Sequence, residues 1–464
     1  MSSEFAESNM LEMDPSPPPL SVAGLRAPGQ KGHRKLRILL LGLNYAPELT
    51  GIGKYSGEMM EWLAARGHDV RVVTAPPYYP VWKVHEDYKW WRYCKEISPA
   101  GVHIYRCPVW VPARPNGISR TVHLGSFATS SLPVMLALAA WRPHVVLTIE
   151  PAFLCAPATL LTALLSGAAA WLHVQDFEID AAFDLELLPA EGVIHNFALA
   201  YERLMMRRFT RISSISTTMV ERLADKGVES AKAVHFPNWV DIDTIRPLDR
   251  PNPFRLELGI KEDQIVLLYA GNLGVKQGLE TLPQLAHQLR DKRQLHFVFC
   301  GDGAFRPKLE QMTAGFENVS LLPLQPLHRL NELLNAADIH LLPQKEGTAA
   351  LVMPSKLTGM LATGRPVIAT AYPGTQVADQ VSGRGIHVAP GDRDALREAV
   401  LSLAANADLR KEMGRAARLF AEEHLCREQV LKRFEAEMAG LFHTKTELAI
   451  PSSTRPEAHS PSPE

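Results

Sequence analysis

Apolar residues in this chain fall into short unbroken runs, separated by stretches in which they recur every three or four positions. The runs at 36–42, 69–74, 145–149, 168–174, 265–269, 295–300, 319–322, 338–343 and 365–370 read as strands, several of them buried on both faces. Between the first two, Tyr55, Met59, Trp62 and Leu63 share one helical face, and Gly67 suits the left-handed residue that ends such a helix. Leu279, Leu282, Leu285 and Leu289 likewise recur at helical spacing after the run 265–269. Strand and helix thus alternate regularly in both halves, which predicts two successive doubly wound α/β units of about 200 residues, with a ligand in the cleft at the carboxyl ends of both sheets.

The expected divisions are a first domain over 36–243, a turn-rich linker over 244–263, a second domain over 264–425 and a terminal helix over 426–445 that can return to the first domain. Residues 1–35, with Pro15, Pro17, Pro18, Pro19 and Pro28 among Ser, Glu and Gly, and residues 446–464 read as disordered tails. The first has no apolar core of a secretion signal. Residues 76–115 read as one long loop rich in Pro and aromatics, Trp82, Trp90 and Trp91 among them, suited to a satellite core, sugar stacking or membrane contact. Residues 151–172 are nearly all apolar but are broken by Pro157 and Gly167, so a buried crossover helix of about 13 residues is expected rather than a membrane span. Arg203, Arg207, Arg208 and Arg211 follow, interleaved with Leu204, Met205, Met206 and Phe209. They read as a solvated helix face or as a basic patch for anionic lipid.

Composition narrows the choices. Lys+Arg of 49 against Asp+Glu of 50 leaves no net field for nucleic acid, and no nucleic-acid-binding signature is present. The five cysteines are dispersed without a CxxC pair, which fits a reducing cytoplasm and argues against a disulfide framework or a structural zinc.

The chemistry centres on the turn after residue 270. Gly271, Gly274 and Gly278 surround Lys276 between a strand and a helix. Such glycines let backbone amides approach a ligand, and a helix start adds partial positive charge, so the turn suits a phosphate. A dinucleotide-binding fold is disfavoured. The first glycines run Gly51-x-Gly53-x-x-x-Gly57, one residue off that fingerprint, and Thr74 ends the second strand where an acidic ribose contact belongs.

Four motifs then fall in a recognisable order: Phe236-Pro-Asn-Trp-Val-Asp241, Tyr269-Ala-Gly-Asn-Leu-Gly-Val-Lys-Gln-Gly278, Gly301-Asp-Gly303 and Pro354-Ser-Lys-Leu-Thr-Gly-Met-Leu-Ala-Thr-Gly-Arg-Pro-Val367. This set resembles the GT-B glycosyltransferases of family 4. The first loop, Asn44-Tyr-Ala-Pro-Glu-Leu-Thr-Gly-Ile-Gly-Lys-Tyr55, together with Trp82, is similar to the colanic acid biosynthesis type of bacterial exopolysaccharide enzymes. The resemblance covers roughly residues 36–442.

It implies a nucleotide-sugar donor in the second domain, its diphosphate held by Lys276 and the amides of Gly271 to Gly278, with Asn272 and Gly301 beside it. Glu346 and Gly347 would face the transferred sugar, His173 and Asp176 would stand on the first domain's side of the cleft, and Gly51 and Gly53 would turn amides towards phosphate or acceptor. No metal and no cofactor are implied. Two positions depart from the family pattern. Asn272 stands where many relatives carry Arg, so Lys356 or Lys54 would supply the lost cation. Gly359 stands where a second glutamate is usual, leaving a ribose contact to another residue such as Ser355.

Retention of anomeric configuration is implied, through front-face substitution in which the departing phosphate takes the acceptor proton. A GT-B phosphorylase or epimerase, or a non-catalytic GT-B subunit, are the alternatives. The expected partners are the nucleotide-sugar and a lipid-linked oligosaccharide, met as a cytoplasmic or peripheral protein. The expected membrane surface combines Trp90 and Trp91 with the arginines 203, 207, 208 and 211.

Overall fold

The computed structural model describes residues 35–442, apart from 49–50, 114–116, 152, 178, 181–182, 184–191, 275–276 and 346–352. Elements are numbered among these described residues. The first half holds β1 (Arg37–Leu41), α1 (Gly51–Ala65), β2 (Asp69–Thr74), β3 (Cys94–Ile97), β4 (His103–Arg106), α2 (Gly117–Ala139), β5 (Val145–Glu150), α3 (Ala156–Ser166), β6 (Ala169–Val174), α4 (Val193–Met206), β7 (Arg211–Ser214), α5 (Thr217–Asp225) and β8 (Ala233–His235). Its eight strands lie in the order β3-β4-β2-β1-β5-β6-β7-β8, parallel except for the edge strand β3.

The second half builds a six-stranded parallel sheet from β9 (Ile265–Ala270), β10 (Leu295–Cys300), β11 (Val319–Leu322), β12 (Ile339–Leu342), β13 (Val367–Thr370) and β14 (Gly385–Val388), in the order β11-β10-β9-β12-β13-β14. Its helices are α6 (Pro253–Glu257), α7 (Thr281–Gln288), α8 (Arg306–Thr313), α9 (Leu330–Asn335), α10 (Lys356–Ala362), α11 (Gln376–Val381), α12 (Arg393–Ala405) and α13 (Ala407–His424). The strand order reverses at β1/β5 and at β9/β12, so the loops after these strands diverge and open a crevice at their carboxyl ends.

The unbroken apolar runs are the central strands because each sheet is covered on both faces. In the first sheet, Leu39, Leu41 and Val146 face α2 to α5, while Ile38, Leu40 and Val145 face α1 and the final helix. That helix, α14 (Arg427–Gly440), crosses back to the first sheet and buries Val430, Leu431, Phe434 and Met438 there. Phe434 stacks on Phe236 with centroids 4.2 Å apart, and Glu435 meets Arg66 at 2.9 Å and His68 at 2.8 Å.

Three readings of the sequence need correction. Residues 244–263 are not a free linker: Ile245, Phe254 and Ile260 enter the second core, and the buried Arg255 donates to the Ala336 carbonyl at 2.8 Å while pairing with Asp338. The chain crosses between domains instead at two adjacent segments, where Val240 N donates to Leu425 O at 2.8 Å and Arg427 N to Val240 O at 3.0 Å. The span 76–115 contains the β3–β4 hairpin, fixed by Arg106, which is buried and donates to Glu96 at 2.6 Å and to the Ala46 carbonyl at 2.6 Å. The crossover helix α3 is present, but Leu164 and Leu165 on its outer face are 78% and 61% exposed, so it is buried on one side only. Among the described residues, the helix long and apolar enough to cross a membrane is α2; it lies instead on the sheet, burying Phe127, Met135 and Leu138.

Candidate active site

At the carboxyl end of the second sheet three loops are drawn together by glycines. Gly271 follows β9 with φ of 140°, Gly301 follows β10 with φ of 147°, and a Cβ on Gly301 would stand 1.9 Å from the Gly271 carbonyl oxygen. A Cβ on Gly278 would stand 2.9 Å from the Gln344 carbonyl carbon after β12. Side chains at these positions would force the loops apart, so the glycines hold a shallow cradle of main chain. Asn272 is exposed and lies over it, its Oδ1 2.7 Å from where a Gly303 Cβ would be.

Lys356, in the first turn of α10, reaches into this cradle. Its Nζ donates to the Tyr269 hydroxyl at 2.9 Å and to Gln277 Oε1 at 3.4 Å, and it lies 4.3 Å from the Tyr269 ring centroid. The Tyr269 hydroxyl in turn donates to the Asn272 carbonyl at 2.6 Å. A Cβ on Gly271 would stand 3.5 Å from the ammonium. No carboxylate of the described residues lies within ion-pair distance, and burial lowers the Lys356 pKa to about 8. A partly buried cation over a glycine turn, with no carboxylate of the described residues beside it, suits an anion. Ser355, beside it, is exposed and makes no capping hydrogen bond. Lys276, Glu346 and Gly347 lie outside the described residues.

On the first domain's side, His173 does not line the cleft. It is 1% exposed, with Nδ1 2.9 Å from Ser213 Oγ and Nε2 accepting from the Gln175 amide at 3.0 Å. Burial lowers its pKa to about 3, so the imidazole is neutral. Strand alternation at β6 turns it into the sheet's covered face, where it packs on Phe236 with centroids 5.0 Å apart. Gln175 extends the chain of hydrogen bonds to Asn238 Oδ1 at 3.1 Å, and Asp176 beyond it is exposed at the strand's end.

Gly51 opens α1 with φ of 59° and is exposed. Gly53, in the first turn of α1, is buried, and a Cβ there would lie 2.7 Å from Glu48 Cβ, so a side chain would clash with Glu48. Glu48 itself accepts from Tyr78 N at 3.1 Å and Tyr79 N at 3.0 Å. Lys54 stands 3.7 Å from Glu58, so its charge already has a partner. Its neighbour Tyr55 is buried and packs edge-on against Trp239, with ring centroids 5.0 Å apart. Sequence reasoning missed Tyr269 and Gln175; both stand inside or beside quoted motifs, but nothing in their spacing tells which side chain they steady.

Two parallel α/β sheets opposed in this way, with a glycine cradle and, at one strand-end crevice, a cation that has no carboxylate partner among the described residues, have the architecture of a GT-B glycosyltransferase. Residues 50–239 match the glycosyl transferase 4-like domain and residues 252–420 match the glycosyl transferases group 1 family. The chain belongs to the family 4 GT-B glycosyltransferases. It is 40% identical over 414 residues, 87% of this chain and 100% of the relative, to a protein of Escherichia coli (strain K12) named for colanic acid biosynthesis, the glycosyl transferase WcaI. In fold it is similar to sucrose-phosphate synthase from Thermosynechococcus elongatus (TM-score 0.68, 17% identity, 89% of this chain and 100% of that one). It is also similar to Anabaena Alr3699/HepE in complex with UDP and glucose (TM-score 0.61, 13% identity, 87% and 99%).

Proposed function

We propose that this glycosyltransferase moves a hexosyl group from a nucleotide-diphosphate sugar to a lipid-linked oligosaccharide during bacterial exopolysaccharide synthesis, retaining anomeric configuration. The observation that carries the reading is Lys356, a desolvated ammonium over the Gly271 turn with no carboxylate partner among the described residues. The likeness to WcaI supports the polysaccharide role.

In this reading the donor diphosphate lies on the cradle of Gly271, Gly278 and Gly301, with Lys356 and Lys276 neutralising the charge that grows on it as the glycosidic bond breaks. Lys356 thereby replaces the arginine that relatives carry at the Asn272 position. No metal ion is assigned a role. Asn272 and Ser355 border the nucleotide, Glu346 and Gly347 face the sugar, and Asp176 and Gln175 face it from the opposite domain, Gln175 held by the neutral His173. A departing phosphate oxygen accepts the proton of the attacking hydroxyl on the same face of the sugar, so configuration is kept without a second carboxylate.

The test uses the full chain with UDP-, GDP- and dTDP-sugars labelled in the sugar and an extract of bacterial polyprenyl-linked glycans. Label passing into the butanol-soluble lipid fraction with one donor, and with α-anomeric product from an α-linked donor, supports the reading. Release of free sugar alone, or no turnover with any donor, rejects it.

A further inference from the structure

One side of the first domain holds polar atoms that its own residues leave unsatisfied. Arg71 on β2 and His103 on β4 are cross-strand neighbours, both half-buried. Arg71 Nε and His103 Nδ1 are buried, and neither has a hydrogen-bond partner among the described residues. The Arg71 guanidinium lies instead 4.1 Å from the centre of the Trp141 ring, just past the end of α2. Buried polar atoms are nearly always paired, so two unpaired nitrogens side by side mark the place of a missing partner. A guanidinium held over an indole ring keeps its N–H groups free for an anion.

An apolar groove leads up to this pair. Tyr93, Tyr105, Pro133, Val134, Ala137 and Leu138 line it, over about 480 Å³. Tyr105 follows His103 by two residues on β4, so both face the same side of the sheet, about 7 Å apart. At the helix end, Trp141 N donates to the Leu138 carbonyl at 3.1 Å. The groove therefore runs from Tyr93, whose hydroxyl donates to the Ser130 carbonyl at 3.0 Å, to Trp141 and Arg71. Cations flank it: the exposed Lys95 has its ammonium 5.3 Å from the Tyr105 ring centre, and the exposed Arg142 follows Trp141. Among the described residues no carboxylate lines it. Glu96, next to Lys95, turns to the other face, where Arg106 donates to it at 2.6 Å, and Asp69, further along β2, stands beside Arg37. Because α2 runs from the carboxyl end of β4 to the amino end of β5, its last turns lie at the amino ends of the strands, away from the crevice.

We propose that this groove binds one amphipathic anion, a single hydrocarbon chain lying along Tyr93, Tyr105 and Val134 with its carboxylate or phosphate head at Arg71 and His103. Lys95 and Arg142 add positive charge on the flanks. Two features select this class of ligand. An apolar lining leaves the hydroxyls of a sugar or the edge of a nucleobase without partners, and a hydrocarbon chain needs none. An anionic head supplies the acceptor that Arg71 and His103 lack, and a guanidinium can grip two of its oxygens at once. The ligand would join the β3–β4 edge to α2 without entering the crevice. The site is thus separate from the donor cradle and does not depend on the transferase reading.

The test is titration calorimetry of the full chain with decanoate, decyl phosphate, decanol, acetate and inorganic phosphate, each amphiphile kept below its micelle concentration. Decanoate, decyl phosphate or both should bind once per chain, and decanol and the chainless anions at least about tenfold more weakly. Which head binds better tells a carboxylate ligand from a phosphate one. Arg71→Gln is expected to lower that affinity by about tenfold or more, and Arg71→Lys to retain part of it. Ala137→Glu, which sets a carboxylate into the groove from an exposed position, is expected to abolish binding. It should keep the parent's melting temperature and its stabilisation by nucleotide-sugar, so it decides the matter even if Arg71→Gln folds poorly. Decanol binding as tightly as the anions overturns the proposal, as does inorganic phosphate binding as tightly as decyl phosphate. Affinity that Ala137→Glu leaves unchanged, or no binding of either anionic amphiphile, overturns it too. Binding seen only to vesicles carrying the amphiphile, and never to the monomer, also overturns it, by assigning the surface to a bilayer.

Discussion

The ammonium of Lys356 and the hydroxyl of Tyr269 are 2.9 Å apart, and the same ammonium lies 4.3 Å from the centre of the Tyr269 ring. The tyrosine therefore holds the cation by both its oxygen and its π face, on the strand that ends in Gly271. Burial keeps the Tyr269 hydroxyl protonated, so it contributes no negative charge to satisfy the lysine.

Replacing Lys356 by Met removes a charge-assisted contact to the donor diphosphate of about 1.5–3 kcal/mol, or roughly a 10- to 150-fold loss of affinity. Without ligand the ordering is opposite. A lysine whose folded pKa is about 8, against 10.5 in the unfolded chain, destabilises the fold while protonated. The variant is therefore expected to melt higher than the parent at pH 7, and the difference to shrink as pH rises from 8 towards 10.5. Calorimetric melting across that range checks it.

An arginine at position 272 should rescue the loss. Asn272 is exposed over the cradle, and a longer guanidinium there can reach the same phosphate oxygens bidentately. Asn272→Arg in the Lys356→Met background is expected to regain at least tenfold in donor affinity by titration calorimetry, about 1.4 kcal/mol. No regain would show that the two cations serve different sites.

His173→Ala is expected to destabilise the protein. It leaves Ser213 and Gln175 without their imidazole partner in the buried network, which costs about 1–3 kcal/mol. Turnover should fall as well, through a displaced Gln175. Denaturant unfolding of the variant checks the first effect. Gln175→Ala, which keeps the imidazole packed on Phe236 and is expected to lose less stability than His173→Ala while turnover falls as far, isolates the second.

Acid stability reports the return of α14. Burial alone would raise the Glu435 carboxyl, but hydrogen bonds and charge from His68 and Arg66 hold it at about 2. The stabilisation is thus complete above the ordinary carboxylate value of 4.5 and is lost as pH falls towards 2. Glu435→Gln should lower the melting temperature at pH 6 and flatten the decline below pH 4.5.

The central strands were legible because they are apolar on both faces, and the doubly wound order follows from their alternation with helices. The strands that the sequence hides are β3, β4, β7 and β8. Cys94–Ile97 sits at an exposed edge, and Arg211–Ser214 and Ala233–His235 are too short and polar to form a run. His173 was misplaced because strand position gives the end of the sheet but not the packing of each face. The cradle glycines were legible as a motif. The partner of Lys356 was not, since Tyr269 and Lys356 are 87 residues apart and meet only when α10 docks beside β9. The exposed leucines of α3 escaped because an apolar crossover helix reads the same whether its outer side is covered or bare.

The most direct measurement is titration calorimetry of UDP-, GDP- and dTDP-sugars into the full chain and into its Lys356→Met variant, at pH 6.5 and pH 9.5. One nucleotide-sugar should bind the parent more weakly at the higher pH, where Lys356, at about 8, has lost its proton. It should bind the variant weakly at both. Donor affinity that is equal in the two proteins and indifferent to pH would contradict a diphosphate site at Lys356.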